Sequence, residues 1–371
     1  MAEWQRVVNT TIAKYLRDEE VNILRNRKLT AMLQSKGRII MNQSGERLNW
    51  RVKFKRATVQ GQADGDTLTF DRKLRHKQAE LDWRGYATTD SVTKKERMMN
   101  KGTEAIVRIY ENIAKDLKDD MTEAFCDELY VDGNASGNEK RIHGVESAFA
   151  ATQTISVATT TSTSPRTANA ADYVGYPNDT YANLSTVLGN YGGAWNSNWP
   201  EGAGDAHFDF WSPVLVNYTG TGFGGATATW KDQCIDALRF GIIKSQRNKS
   251  KKGMLDMVVV TNEMYRLALT KNATKEQINV NRGEESELVK LGFKDVFNLD
   301  GVDVTWEYGV PNNIGYGFNV DEMTLHSLQN QLFVPEGPDW DIGSSSYRFS
   351  VDFYGNLQFN PRHFVKFLTL A

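Results

Sequence analysis

Two runs of strict alternation near the N-terminal quarter constrain this chain more than any other feature. Leu48, Trp50, Val52 and Phe54 alternate with Asn49, Arg51, Lys53 and Lys55, and later Ala79, Leu81 and Trp83 alternate with Gln78, Glu80, Asp82 and Arg84. A period of two is the mark of a half-buried strand. Between the runs lie Gly61, Asp64, Gly65 and Asp66, which form turns, followed by Thr67-Leu68-Thr69-Phe70. The pattern predicts one long β-hairpin over residues 46–90 with a broad tip. A two-stranded ribbon of that length is marginal in water, because it cannot bury its apolar face by itself. It must lie on something.

Its charge narrows what that surface is. Arg51, Lys53, Lys55, Arg56, Arg72, Lys73, Arg75 and Lys77 oppose only Asp64, Asp66 and Asp71, a net charge of +5 over residues 48–77. A basic ribbon can grip nucleic acid in a groove, but the aromatic face and the acidic tip fit a protein neighbour better. The whole chain, with 44 basic and 46 acidic side chains and pI near 6.3, lacks the strongly basic balance of a dedicated nucleic-acid binder. No window approaches 18 consecutive apolar residues, and the N-terminus lacks a basic head followed by an apolar run, so neither a membrane span nor a secretory signal is expected.

The hairpin leads into a second long element. Thr93 followed by Glu96 is a capping box. Ile106, Ile109, Tyr110, Ile113, Ala114, Leu117, Met121, Ala124 and Phe125 then keep one helical stripe. The spacing predicts a helix from Thr93 to Tyr130, about 55 Å long at 1.5 Å per residue, stopping at Asp132-Gly133-Asn134 and lying on a sheet. Residues 3–34 also read as helical, with Trp4, Val7, Val8, Ile12, Tyr15 and Leu16 on one face. That helix either docks on its own domain or acts as an arm on a neighbouring subunit. Residues 150–230 differ in composition: no Lys or Arg occurs between Arg166 and Lys231, and the segment reads as a loop-rich insertion. Helical spacing returns at Trp230–Ile242 and from Asn262. Strand patterns occupy Leu255–Val260, Gly301–Glu307, Tyr347–Phe353 and the C-terminus, with Gly355-Asn356 read as an interruption.

A search for catalytic groups finds none above background. Asp205, His207 and Asp209 would share a strand face and hold a metal only with further ligands. His76, His143, His326 and His363 are scattered singly and read as surface or turn residues. Asp339 and Asp341 fall in what reads as a loop, and the glycines at 220, 222, 224 and 225 lack the Lys-Ser/Thr of a phosphate loop. Cys126 and Cys234 read as small apolar residues in a reducing compartment. No enzyme activity, cofactor or metal is expected.

An arm, a long hairpin and a very long helix, without a catalytic cluster, are what self-assembly needs, because such projections bury their apolar faces on neighbours. In this order the chain resembles the major capsid protein of tailed bacteriophages, the Hong Kong 97-type coat fold. Thr93–Gly102, Glu128–Asn134, Arg141–Ser147 and Tyr354–Arg362 are the runs most similar to coat proteins of that type. The resemblance implies an α+β fold with an N-terminal arm (1–37), an extended β-hairpin loop (38–90), a peripheral domain with a spine helix (91–149), an insertion (150–225), an axial domain (226–335) and return strands to the peripheral domain (336–371). It also implies a structural protein of the virion capsid that assembles in the host cytoplasm into pentamers and hexamers of an icosahedral shell. The shell encloses double-stranded DNA without sequence-specific binding. Because the chain starts at its arm helix, a separate scaffolding protein is expected, with a portal and a decoration protein as further partners. The contacts between subunits are expected from Trp50, Arg51, Lys53, Lys55, Arg56, Arg72, Lys73, Arg75, Lys77 and Trp83 of the hairpin and Trp4, Val8 and Tyr15 of the arm. An encapsulin-like compartment and, more distantly, a carbohydrate-active enzyme using residues 166–230 are the alternatives.

Overall fold

A computed structural model describes residues 27–55, 57, 59–70, 74–99, 103–149, 155–158, 165–167, 174–177, 179–187, 190–191, 210–219, 229–246, 255–275 and 286–369. Two sheets organise them. The five-stranded sheet is built around the 14-residue strand β17 (Ser346–Phe359). On one side β17 pairs with β4 (Arg84–Thr93), and on the other with β16 (Val334–Asp341) and β15 (Met323–Ser327), which in turn pairs with the short β1 (Ile39–Ile40). Gly355 and Asn356 do not interrupt β17, contrary to the sequence reading. A Cβ at Gly355 would sit 2.2 Å from the His326 carbonyl oxygen of the neighbouring strand, so only glycine lets the two strands pair there. Asp339 and Asp341 likewise lie in a strand, β16, whose register shifts between Glu336 and Asp339.

The spine helix crosses this sheet, as its stripe predicts. It comprises α2 (Lys94–Met99) and α3 (Thr103–Glu128), and residues 100–102 between them are outside the described set. The Thr93 hydroxyl accepts the Glu96 amide at 3.3 Å, the N-terminal half of the expected capping box. Tyr110, Ala114, Leu117, Met121 and Phe125 are buried, with Tyr110 against Phe349 (ring centroids 5.0 Å apart) and Phe125 against Phe353 (4.7 Å). Ala124, which the sequence places on that stripe, is exposed. The helix stops at Glu128 because the chain must turn back. A Cβ on Gly144 would lie 2.6–2.7 Å from the carbonyl oxygens of Glu128, Leu129 and Val131, the last turn of the spine. The loop at 141–148 packs over those carbonyls, and the Val145 amide donates to Leu129 O.

The second sheet has nine strands in the order β12 (Val296–Leu299), β13 (Val302–Trp306), β11 (Met257–Val260), β14 (Gly315–Phe318), β18 (Val365–Leu368), β10 (Val214–Asn217), β7 (Val174–Pro177), β5 (Ile155–Ala158), β6 (Pro165–Thr167). Helices α4 (Trp230–Ser245) and α5 (Asn262–Lys275) pack on one another and on this sheet. Val214, Val216, Cys234, Leu238, Val258, Val260 and Phe367 are completely buried there. Strand β10 and the strands at 155–177 lie in the segment read from sequence as a loop-rich insertion, so part of it is woven into a sheet. β15 joins the five-stranded sheet and β18 the nine-stranded one. Cys126 and Cys234 are free and buried, and burial pushes the Cys126 thiol up to about 12, so both act as small apolar residues.

Helix α1 (Lys28–Ser35) is the described part of the predicted arm. Leu29, Met32 and Leu33 are buried, and Lys28 Nζ donates to Trp306 O at 2.8 Å. Lys36 Nζ reaches Asp256 (3.0 Å) and Asp321 (3.6 Å), so the root of the arm is tied to segments that feed both sheets.

Candidate assembly surfaces

The hairpin forms as the alternation requires, but its ladder is shorter than 46–90. β2 (Arg47–Lys53) pairs with β3 (His76–Asp82) from Arg47↔Asp82 to Lys53↔His76. Past Trp83 the chain enters β4 and changes partner to β17. The inner face carries Leu48, Trp50, Val52, Lys77, Ala79 and Leu81, all buried or half-buried; Arg47, Asn49, Arg51, Lys53, His76, Gln78 and Asp82 are exposed.

A small clasp supports the inner face. β8 (Thr180–Tyr181) and β9 (Leu184–Ser185) make a two-stranded turn whose Ala182 carbonyl accepts the Glu80 amide at 3.1 Å. Tyr181 is fully buried, stacks on Phe359 at 4.1 Å, donates to Leu357 O and accepts the Phe359 amide. Trp50 lies over Tyr181 (6.5 Å) and Trp211 (6.4 Å), while Lys77 Nζ sits 4.6 Å from the Tyr191 ring centre and 5.4 Å from that of Phe54. Trp50 and Lys77, which the sequence assigns to a subunit contact, pack in part against their own chain. The reason is parity: each has the inward phase of its strand. Trp83 donates its indole N–H to Gly45 O and also packs on the chain's own core.

The hairpin root is held by one buried asparagine. Asn356 Oδ1 accepts the amides of His143 (3.0 Å) and Leu357 (2.9 Å), and its Nδ2 donates to Asp82 O (2.7 Å) and His143 Nδ1 (2.9 Å). All four hydrogen-bonding positions of the amide are used. They join β17, the end of β3 and the loop after the spine. His143 is buried rather than on a surface turn, and burial lowers its pKa to about 4, so it is neutral here. His326 is buried as well. Single-residue periodicity carries no signal for such long-range polar contacts, and sequence reasoning missed them.

The outer face is basic and largely unpaired. Arg47 at the root bonds Asp82 (3.0 Å) and approaches Glu80 (3.6 Å) across the ladder. Arg51 and Lys53 are exposed on this face, and Arg75, opposite Phe54 just before β3, is exposed although it has the inward phase; no carboxylate among the described residues pairs with these three, and Lys55 is half-buried. Arg56, Arg72 and Lys73, and Trp4, Val8 and Tyr15 of the arm, lie outside the described residues. So do Asp205, His207 and Asp209. Among the described residues no group of three or more His, Cys, Asp or Glu is placed to hold a metal ion, and no helix is long and apolar enough to cross a membrane.

The tip is preformed. Gln60 Oε1 accepts the Thr69 amide and Gln60 Nε2 donates to Thr69 O, both at 3.1 Å, which substitutes a side chain for a ladder pair. Asp66 Oδ2 accepts the Ala63 amide, and Gly65 takes φ +89° to close the turn. Val59 is 93% exposed, Phe70 89% and Leu74 73%. The spine helix exposes an acidic stripe, Asp116, Asp120, Glu123 and Asp127, at helical spacing; Arg27 approaches only the last two.

No family model matches the chain, and no curated protein does. Solved structures do. The capsid asymmetric unit of cyanophage A-1(L) is 16% identical, matches over 92% of each chain and superposes with a TM-score of 0.53. The capsid of an empty GTA particle is 10% identical over 90% of this chain and 96% of that one, with a TM-score of 0.50. At such identities the likeness speaks for architecture, and the agreement runs nearly end to end in both. The chain has the Hong Kong 97-type capsid fold that its order of arm, hairpin and spine helix implies.

Proposed function

We propose that this protein is the major capsid protein of a tailed bacteriophage, self-assembling into the icosahedral shell around double-stranded DNA. The observation that carries this reading is the end-to-end match to capsid subunits in a chain whose projecting hairpin leaves one basic face and an apolar tip uncovered. The outer face of the hairpin, through Arg51 and Lys53, lies across the acidic stripe of an adjacent copy's spine helix, and Arg75, exposed just before β3, adds its charge to the contact. Single exposed ion pairs contribute only about 0–1 kcal/mol each, but repetition around a closed shell fixes register. Arg56, Arg72 and Lys73 extend the same charge, and Trp4, Val8 and Tyr15 give the arm its apolar face. The peripheral unit is the five-stranded sheet with the spine, and the axial unit is the nine-stranded sheet with α4 and α5. The copies form pentamers and hexamers, with a separate scaffolding protein, a portal and a decoration protein as partners; the virion is its location.

Negative-stain electron microscopy of the expressed protein, alone and with its scaffold, tests this: closed shells are expected. Deleting residues 58–74 should leave a folded subunit that forms none. Closed particles from that variant refute the hairpin mechanism.

A further inference from the structure

Three carboxylates and one lysine come together where the clasp joins the body of the subunit. Asp179 stands at the base of the clasp, just before β8. Its amide donates to Thr186 Oγ1 at 3.1 Å, and its carbonyl accepts the Thr186 amide (2.8 Å) and hydroxyl (2.9 Å), which closes that base. Asp132 follows the spine, Glu146 lies in the loop at 141–148 and Lys366 comes from β18. Lys366 is committed to Glu146, whose other oxygen accepts the Tyr316 hydroxyl from β14 at 2.5 Å. Asp132 accepts the Asn134 amide at 2.8 Å, and Asn134 Nδ2 donates to Thr180 O at 2.5 Å, so the turn that carries Asp132 is tied to β8. Asp179 has the Thr180 amide on Oδ1, whereas its Oδ2 is buried with no donor among the described residues. The other titratable groups around the clasp meet it elsewhere. Glu80 does so through its amide on Ala182 O, Lys77 over the Tyr191 ring and His143 edge-on to Tyr181 at 6.4 Å.

One lysine cannot neutralise three carboxylates, and an unpaired charge away from water is costly. Glu146 takes the lysine, and Asp179 is left with a buried oxygen that nothing serves, so a proton settles there. We infer that the clasp is a proton-operated latch. With a proton on Asp179 the clasp stays seated on the body and supports the hairpin; loss of that proton lets it lift and leaves the inner face of the hairpin unsupported. The sign follows from the surroundings. Burial, then Asp132 and Glu146, push the Asp179 pKa up to about 7 against the pull of the Thr180 amide and Lys366. In a lifted clasp the carboxyl stands in water and titrates near its ordinary value of about 4. Lifting above that value therefore releases a proton, and it grows easier as pH rises toward 7. The lever is short. Ala182 O takes the Glu80 amide from the middle of β3, and Tyr181, two residues beyond Asp179, lies beneath Trp50.

Unassembled full-length subunits carry the test, so its outcome is independent of shell formation. Amide hydrogen exchange is followed from pH 4.5 to pH 8 and expressed as protection factors, which removes the intrinsic pH dependence of exchange. Protection of the Glu80 and Thr186 amides, both bonded within the clasp, is expected to fall about tenfold across that range. The Leu325 amide, bonded to Arg38 O in the five-stranded sheet, should hold its own. Asp179→Asn keeps the acceptor for Thr180 and has no proton to titrate, so its clasp amides should be protected equally at both ends. Asp132→Asn removes one of the repelling charges and should move the midpoint of the fall to lower pH, a readout that stands if Asp179→Asn does not fold. Wild-type protection that stays level, or that falls as much in Asp179→Asn, overturns the latch, as does an unmoved midpoint in Asp132→Asn.

Discussion

Asp179 offers the sharpest test of how the clasp beneath the hairpin is held. Its Oδ1 accepts the Thr180 amide at 2.7 Å, but its Oδ2 is buried with no hydrogen-bond partner among the described residues. Burial, together with the nearby carboxylates of Asp132 and Glu146, pushes its pKa up to about 7 from 3.8, and the Thr180 amide and, less, Lys366 offset this only in part. A shift of that size corresponds to about 4 kcal/mol between the two protonation states. The residue is half-buried, so water screens part of the effect, and about 2 kcal/mol is expected. Between pH 4 and pH 7 the folded state holds a proton that the unfolded state has lost. Stability from this group is thus present at low pH and lost as pH rises through about 7. Asp179→Asn keeps the acceptor for Thr180 and removes the charge. Urea unfolding of unassembled subunits, followed by tryptophan fluorescence, should show the variant about 2 kcal/mol more stable at pH 8. The gain should shrink steadily as pH falls toward 4. An equal gain at pH 8 and pH 4.5, or a loss at pH 8, would refute the reasoning.

Three further outcomes follow from the packing. Gly144→Ala forces a Cβ onto three backbone carbonyls and should destabilise the subunit by about 3 kcal/mol in chemical denaturation, whereas Gly61→Ala, with open space around it, should change stability by less than about 0.5 kcal/mol. Asn356→Ala leaves two buried amides and the His143 ring nitrogen unpartnered; a loss of about 3 kcal/mol is expected, with earlier protease cleavage at the hairpin root. Lys366 forms a buried ion pair with Glu146, whose other oxygen accepts the Tyr316 hydroxyl. Lys366→Met should cost about 3–5 kcal/mol at pH 7, and Lys366→Met with Glu146→Leu should recover most of it in a double-mutant cycle.

The elements that carry the architecture were legible because their signals are local. Leu48 to Lys55 and Gln78 to Arg84 alternate with period two, and Tyr110 to Phe125 recur with the helical period. Thr93 supplies an N-cap in either context. Backbone geometry turns such patterns into a hairpin and a spine helix without reference to the rest of the chain. Which face met which partner was not local. Trp50 and Lys77 share the inner phase of the ladder, and only the clasp at Tyr181 and Tyr191 decides that this face is covered from within. Gly355-Asn356 looks like a break because glycine and asparagine disfavour strands. The approach of His326 O and three distant hydrogen bonds make those two residues the ones β17 requires. The strands at 155–177 and 214–217 find their place through β18, near the other end of the chain. Pairing over such separations is chosen by the burial and hydrogen-bond satisfaction of the whole sheet, and no window of sequence contains that sum.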